Sequence, residues 1–133
     1  MSVHRSRLCS IVIDCLDEHF EECLAFWTLA FGGPAPRKPS KSQRYVTLKA
    51  RPGNLEILLQ RVKHDPGVHL DFESDSVRRE TARMETAGAR RKYRVKTWWV
   101  MQDPSGNAFC IIRKHHPQLL LRRRPWMETG DKS

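Results

Sequence analysis

Two stretches of this chain spell the same structural sentence. The first, "SIVIDCLDEHFEECLAFWTLAFGG", begins at Ser10, and the second, "HLDFESDSVRRETARMETAGAR", begins at His69. In each, a short alternating run comes first. Ile11, Ile13 and Cys15 share one strand face and Ser10, Val12 and Asp14 the other, while Leu70 and Phe72 oppose His69, Asp71 and Glu73. A capping residue stands seven positions after each start, Asp17 in the first stretch and Ser76 (or Asp75) in the second. A helical pattern then runs to a glycine stop. Phe20, Leu24, Trp27 and Phe31 make one apolar stripe, with Glu21 and Glu22 at the positive dipole end. Val77, Thr81 and Met84 make the other stripe, and Gly32, Gly33 and Gly88 end the helices. Strand–helix units recurring about sixty residues apart constrain the fold more than any other feature of the sequence.

The segments that come after the two units are also alike. "RYVTLKARPGNLEILLQRV" reads as two strands about Arg51-Pro52-Gly53-Asn54. "RRKYRVKTWWVMQDPSGNAFCIIRK" reads as two or three strands about Asp103-Pro104-Ser105-Gly106-Asn107. A further short strand has room near residues 34–38, although two prolines lie there. The expected architecture is α+β: two βαβββ modules, helices near 17–31 and 76–87, and strands near 9–15, 44–50, 55–62, 68–74, 97–102 and 107–113.

The bulk properties fit one domain. The chain has 133 residues, 39% hydrophobic and 29% charged, enough apolar material to pack a core. No apolar run approaches the ~18 residues a membrane helix needs, and the N-terminal apolar stretch is too short and interrupted for a signal peptide. A cytoplasmic protein without membrane partners is expected. Cys9, Cys15, Cys23 and Cys110 form no CxxC or zinc-finger spacing and read as thiols in a reducing compartment. The net charge of +9 is clustered over residues 37–51, 90–96 and 113–133, which hold 17 of the 24 Lys and Arg. Such a field attracts anions without reading base sequence, so no specific nucleic-acid partner is expected. The tail reads as a poorly ordered terminus or a partner-binding segment.

"HLDFES", "AGA" and "DPSGNAFCII" within this organisation resemble the vicinal oxygen chelate superfamily, which includes glyoxalase I, bleomycin- and fosfomycin-resistance proteins and extradiol dioxygenases. The resemblance is closest to small glyoxalase-like proteins, through Gln60-Arg61-Val62, His69-Leu70-Asp71-Phe72 and Trp99 to Cys110. It implies a glyoxalase-like domain over residues 1–113, with module one at about 8–62 and module two at about 68–113. A basic tail occupies 114–133. The resemblance further implies a cupped mixed sheet around a cavity, and a homodimer. Metal-dependent members draw one ligand from each of four strands, at positions that fall here on Ser10, Glu56, His69 and Cys110. Glu56 and His69 keep usual ligand types; Ser10 and Cys110 depart.

Strand alternation alone puts Ser10, Asp14, Glu56, Gln60, His69, Asp71 and Cys110 on polar positions of the sheet, and one of the adjacent Trp98 and Trp99 on the same side. Trp99 is taken with them as a ligand-binding candidate. No nucleophilic triad, GxSxG elbow or phosphate loop is present, and no catalytic residue is assigned. The apolar "AFCII" around Cys110 argues for a packed thiol facing the cavity beside His69, and no bound metal is favoured. If one binds, Glu56, His69 and Cys110 would hold zinc, iron, manganese or nickel. The leading expectation is a glyoxalase-like protein that binds a small molecule without a tightly held metal. The alternative is a divalent-metal-dependent lyase, isomerase or dioxygenase acting on paired substrate oxygens.

Overall fold

A computed structural model describes residues 3–34, 36–48 and 54–127. In chain order its elements are β1 (Val3–His4), β2 (Ser6–Leu16), a 3-10 turn (Asp17–His19), α1 (Phe20–Phe31), β3 (Tyr45–Leu48) and β4 (Glu56–Val62). Then come β5 (Gly67–Ser74), α2 (Val77–Thr86), β6 (Arg90–Val95), β7 (Trp98–Gln102), β8 (Ala108–Arg113), α3 (Pro117–Leu121) and β9 (Trp126–Met127). The mixed α+β class expected from the repeat is what forms. Two compact units are present, Cys9–His69 and a second made of Met1–Leu8 with Leu70–Ser133.

In the first unit β2 runs parallel to β4, in register from Ser10↔Glu56 to Leu16↔Val62. β3 lies antiparallel on the other side of β4. Ile13, Cys15, Val46, Leu48, Ile57 and Leu59 gather with Phe20 and Leu24 of α1 into one core. The alternation of the strands thus buries one face under the helix stripe. Phe31, placed on that stripe by its spacing, is 40% exposed. Asp17 does not cap α1; no side-chain cap bond is made there. Its carboxylate instead accepts a 2.9 Å bond from Arg61, whose guanidinium also lies 4.2 Å from the Phe20 ring centroid. Gly32 stops the helix at φ +78°, where its amide reaches the carbonyls of Thr28 and Leu29. The short strand near 34–38 is not formed among the described residues. Pro34, Pro36 and Pro39 remove the amides a ladder would need. The turn at Arg51–Asn54 falls mostly outside the described residues.

In the second unit β5 runs parallel to β8, β7 antiparallel to β8, and β6 antiparallel to β7. Ser76 caps α2 as expected, its hydroxyl accepting from the Arg79 amide at 3.2 Å. Gly106, at φ +99°, closes the β7–β8 turn, where one Asp103 carboxylate oxygen accepts the amides of Ser105 and Asn107. Residues after 113 are not loose as expected, at least through Met127. They form α3 and β9, and β9 pairs with β1 in the register Val3↔Met127.

Two fully buried carboxylates anchor those ends. Glu73 accepts the His115 and His116 amides, the His116 ring at 3.1 Å and Arg7 at 2.9 Å. Glu80 accepts His4 and Ser6, both at 2.8 Å, and two bonds from Arg83. The Trp126 indole N–H donates to the Ser6 hydroxyl, and Arg83 lies 3.8 Å from the Trp126 ring centroid. No helix among the described residues is long and apolar enough to cross a membrane.

Candidate functional site

Strand register decides which side chains share a face. In the first unit, Ser10 with Glu56, and Asp14 with Gln60, are paired positions. Their parity is opposite to that of Ile13, Ile57 and Leu59, which are buried under α1. The four polar residues therefore line the face away from the core. Ser10 and Asp14 are buried there, 4% and 9% exposed. Gln60 donates to the Tyr45 hydroxyl at 3.3 Å. His69 joins this face through its Nδ1, 3.0 Å from the Asp14 carboxylate. The second carboxylate oxygen of Asp14 is buried with no hydrogen-bond partner among the described residues.

In the second unit a single row crosses four strands. Asp71 on β5 pairs with Cys110 on β8, Cys110 with Val100 on β7, and Val100 with Tyr93 on β6. His69 stands two positions before Asp71 and shares its strand face. His69, Asp71 and Cys110 each offer one donor atom, and these atoms lie within 4.8 Å of one another. Cys110 thus comes beside His69, and the acid that accompanies the pair is Asp71 rather than Glu56.

Trp99 requires a correction. It pairs with Ile111, which has the opposite parity to Cys110 and is fully buried. Trp99 therefore lies on the α2 side, where Arg91 stacks 4.9 Å from its ring centroid and binds Glu85 of α2. Trp98, one residue earlier, shares the face of Val100 and Cys110. The signal for this was in the sequence: a five-residue turn at 103–107 pairs Gln102 with Ala108, which fixes every pair behind it.

Glu73 and Glu80 were also missed, and both are wholly buried. Glu80 falls on the stripe Val77, Glu80, Thr81, Met84, with the spacing of a buried helix face, so its burial was readable. Burial alone would push both carboxyls up. The amides of His115 and His116, the His116 ring and Arg7 outweigh it at Glu73, and Arg83, His4 and Ser6 at Glu80, so both are held below the ordinary carboxylate value. Cys15 goes the other way: burial first, then Cys23 and Asp14, push its thiol up to about 12, which makes it a packing residue and not a nucleophile.

Chemically, His69 is the versatile member of the group. With the proton on Nδ1 donated to Asp14, Nε2 is the acceptor nitrogen of the ring. A cleft of about 590 Å³ lies elsewhere, between α1 and the loop after it, lined by Leu24, Thr28, Leu29, Pro36 and Pro39 with Glu21 and Lys38 at its side. It contains none of the site residues singled out from the sequence. Its lining is mostly apolar, whereas the sheet face brings several polar side chains together, so the sheet face is the better functional candidate.

The sequence matches the glyoxalase-like domain family over residues 10–112. No curated protein matches it. Among solved structures it is similar to the crystal structure of hypothetical protein BH1468 from Bacillus halodurans C-125, with 13% identity and a TM-score of 0.58 over 84% of this chain and 96% of that one. That likeness shows the fold. Matched across most of its length, and carrying the strand–helix repeat and the His69 strand within the matched span, the chain belongs to the glyoxalase-like domain family, of the vicinal oxygen chelate type.

Proposed function

We propose that this protein binds a small molecule on the polar face of its sheet, with His69, Asp71 and Cys110 as central contacts and Asp14 orienting His69. Ser10, Glu56 and Gln60, on the strand face of Asp14, are proposed as contacts within the first unit. The observation that carries it is the convergence of three different donors within 4.8 Å on two adjoining strands, one of them an imidazole held by a buried carboxylate. Strand faces in a domain this small usually pack apolar side chains or meet water. A polar set this converged is what a ligand site requires. A fragment screen read by backbone amide shifts tests it. Shifts concentrated on β5 and β8, and lost in His69→Ala, are expected. Shifts confined to the cleft beside α1 would overturn the assignment. The protein is further proposed to act as a cytoplasmic homodimer; light scattering that gives a monomer at micromolar concentration counts against the dimer.

A second reading is a divalent-metal-dependent lyase, isomerase or dioxygenase. The same three donors favour it, because imidazole nitrogen, carboxylate oxygen and thiolate sulfur are all zinc ligands. A carboxylate on the far ring nitrogen commonly orients a metal-bound histidine. The residues therefore fit a metal, which His69, Asp71 and Cys110 would hold. Bound there, it would polarise substrate oxygens as a Lewis acid. The leading reading has no tightly held ion, because Cys110 is buried beside Val100 in an apolar stretch of β8, a setting that favours the neutral thiol. Elemental analysis of untagged protein purified without chelator is expected to find well below one zinc, iron, manganese or nickel per chain. Stoichiometric metal that disappears in His69→Ala, Asp71→Ala or Cys110→Ala would put the metalloenzyme first.

A further inference from the structure

The face that carries Asp71 and Cys110 changes character toward β6. Tyr93 ends the row through Cys110 and Val100, and it is 50% exposed. Trp98 shares the face and pairs with Val95 on β6, which puts Tyr93 one diagonal step from it, within reach of large rings. The next row along brings Arg90, paired with Gln102.

Arg90 is there because of an irregularity. By plain alternation Arg91 would share the face of Tyr93. The register shifts between Arg91 and Tyr93, so Lys92 is an extra residue and the preceding side chains exchange faces. Arg91 turns to the α2 side, where Glu85 holds it at 2.9 Å. Arg90 takes the face of Tyr93 instead, exposed, with no hydrogen bond or ion pair among the described residues. The nearest acid on this face is Asp71, three strand spacings or ~14 Å from β6.

Resting on the small-molecule reading above, the geometry points to a flat aromatic molecule bearing an anionic group as the ligand class of this face. Its ring lies against Trp98 and Tyr93, its anion meets Arg90, and its other end extends toward Cys110 and Asp71. The charge pattern orients the ligand: an anion is attracted at the β6 end and repelled at the Asp71 end. Cationic aromatics are disfavoured where the rings are, because Lys92, whose ammonium lies 6.0 Å from the Tyr93 ring centroid, and Arg90 stand beside them. The rings supply sequence-indifferent stacking, worth enough to matter only when the ligand is itself flat.

Three probes of one shape test the class: 2-naphthoate, 2-naphthylmethanol and 2-naphthylmethylammonium, titrated at low salt with amide shifts as the readout. Naphthoate is expected to bind most tightly and the ammonium most weakly. Trp98→Ala should weaken naphthoate about tenfold, with Trp98→Phe restoring most of it. Arg90→Ala should remove the advantage of naphthoate over the alcohol, about fivefold for an exposed charge, while Arg91→Ala leaves it intact. Equal affinities for all three probes, with shifts still on β5 and β8, would overturn the ligand class and leave the small-molecule site standing. Shifts away from β5 to β8 for every probe would overturn both. A short oligothymidylate that outcompetes naphthoate at physiological salt through Trp98 and Tyr93 would replace the small molecule with single-stranded nucleic acid.

Discussion

Replacing Glu73 with alanine is expected to destabilise the second unit by about 3–5 kcal/mol, the usual cost of removing one partner from a buried, charged network. The side chain is wholly buried, and four groups converge on it: Arg7, the amides of His115 and His116, and the His116 ring. Alanine leaves a buried guanidinium with its carboxylate gone and two amides without their acceptor. Glu73→Gln should be milder, because an amide oxygen still accepts some of those bonds, though without charge. The same carboxylate sets an acid limit. Its folded-state pKa lies below the ordinary value, so its stabilisation is fully present above the unfolded pKa of about 4.3. It is lost as pH falls through the lower, folded value. Glu80 has the same sign. Melting curves between neutral and acid pH should therefore show stability falling below pH about 4, less steeply in Glu73→Ala. An unchanged melting temperature in Glu73→Ala at neutral pH would refute the argument.

Phe20→Ala carries a loss of similar size, about 3–5 kcal/mol, but in the other unit. Phe20 is 1% exposed at the first turn of α1 and belongs to the core with Ile13, Leu24, Ile57 and Leu59. Its removal opens a cavity where helix meets sheet, and also strips the ring from beneath Arg61. Arg61 ties Asp17 to the carbonyls of Ser40 and Gln43, so the loss should loosen the loop before β3 as well. Phe20→Leu should cost much less, because it refills most of the volume. Urea unfolding followed by circular dichroism measures both, and an alanine variant within about 1 kcal/mol of the parent would contradict the packing described.

The repeat made the fold legible. Alternation and helical spacing are local, and β2, α1, β4, β5, α2, β7 and β8 formed close to where those patterns put them. What failed was decided by partners distant in sequence. Asp17 has the chemistry of a cap, yet Arg61, forty-four residues on, takes its carboxylate. Trp99 and Trp98 cannot be separated by composition, only by the register of a hairpin. The placement of Asp71 next to His69 and Cys110 was half readable: alternation gave the His69–Asp71 pair, whereas Cys110 needed the parallel pairing of β5 with β8. Nothing local announced that Glu73 would fasten the segment after β8, because two of its four partners are backbone amides, which every residue but proline has, and the others are distant in sequence.

The pairing of β1 with β9 has a consequence for how the protein comes into being. Val3 meets Met127, so every residue between them must leave the ribosome before that contact can exist. Residues 9–69 hold a core built from their own side chains and are free to fold early in synthesis. Arg7 and His4, made before that core, must wait for Glu73 and Glu80 and then for the segment that carries His116 and Trp126. During that interval His4 and Arg7 stand without Glu80 and Glu73, and the segment about them is where a chaperone or a protease would find the nascent chain.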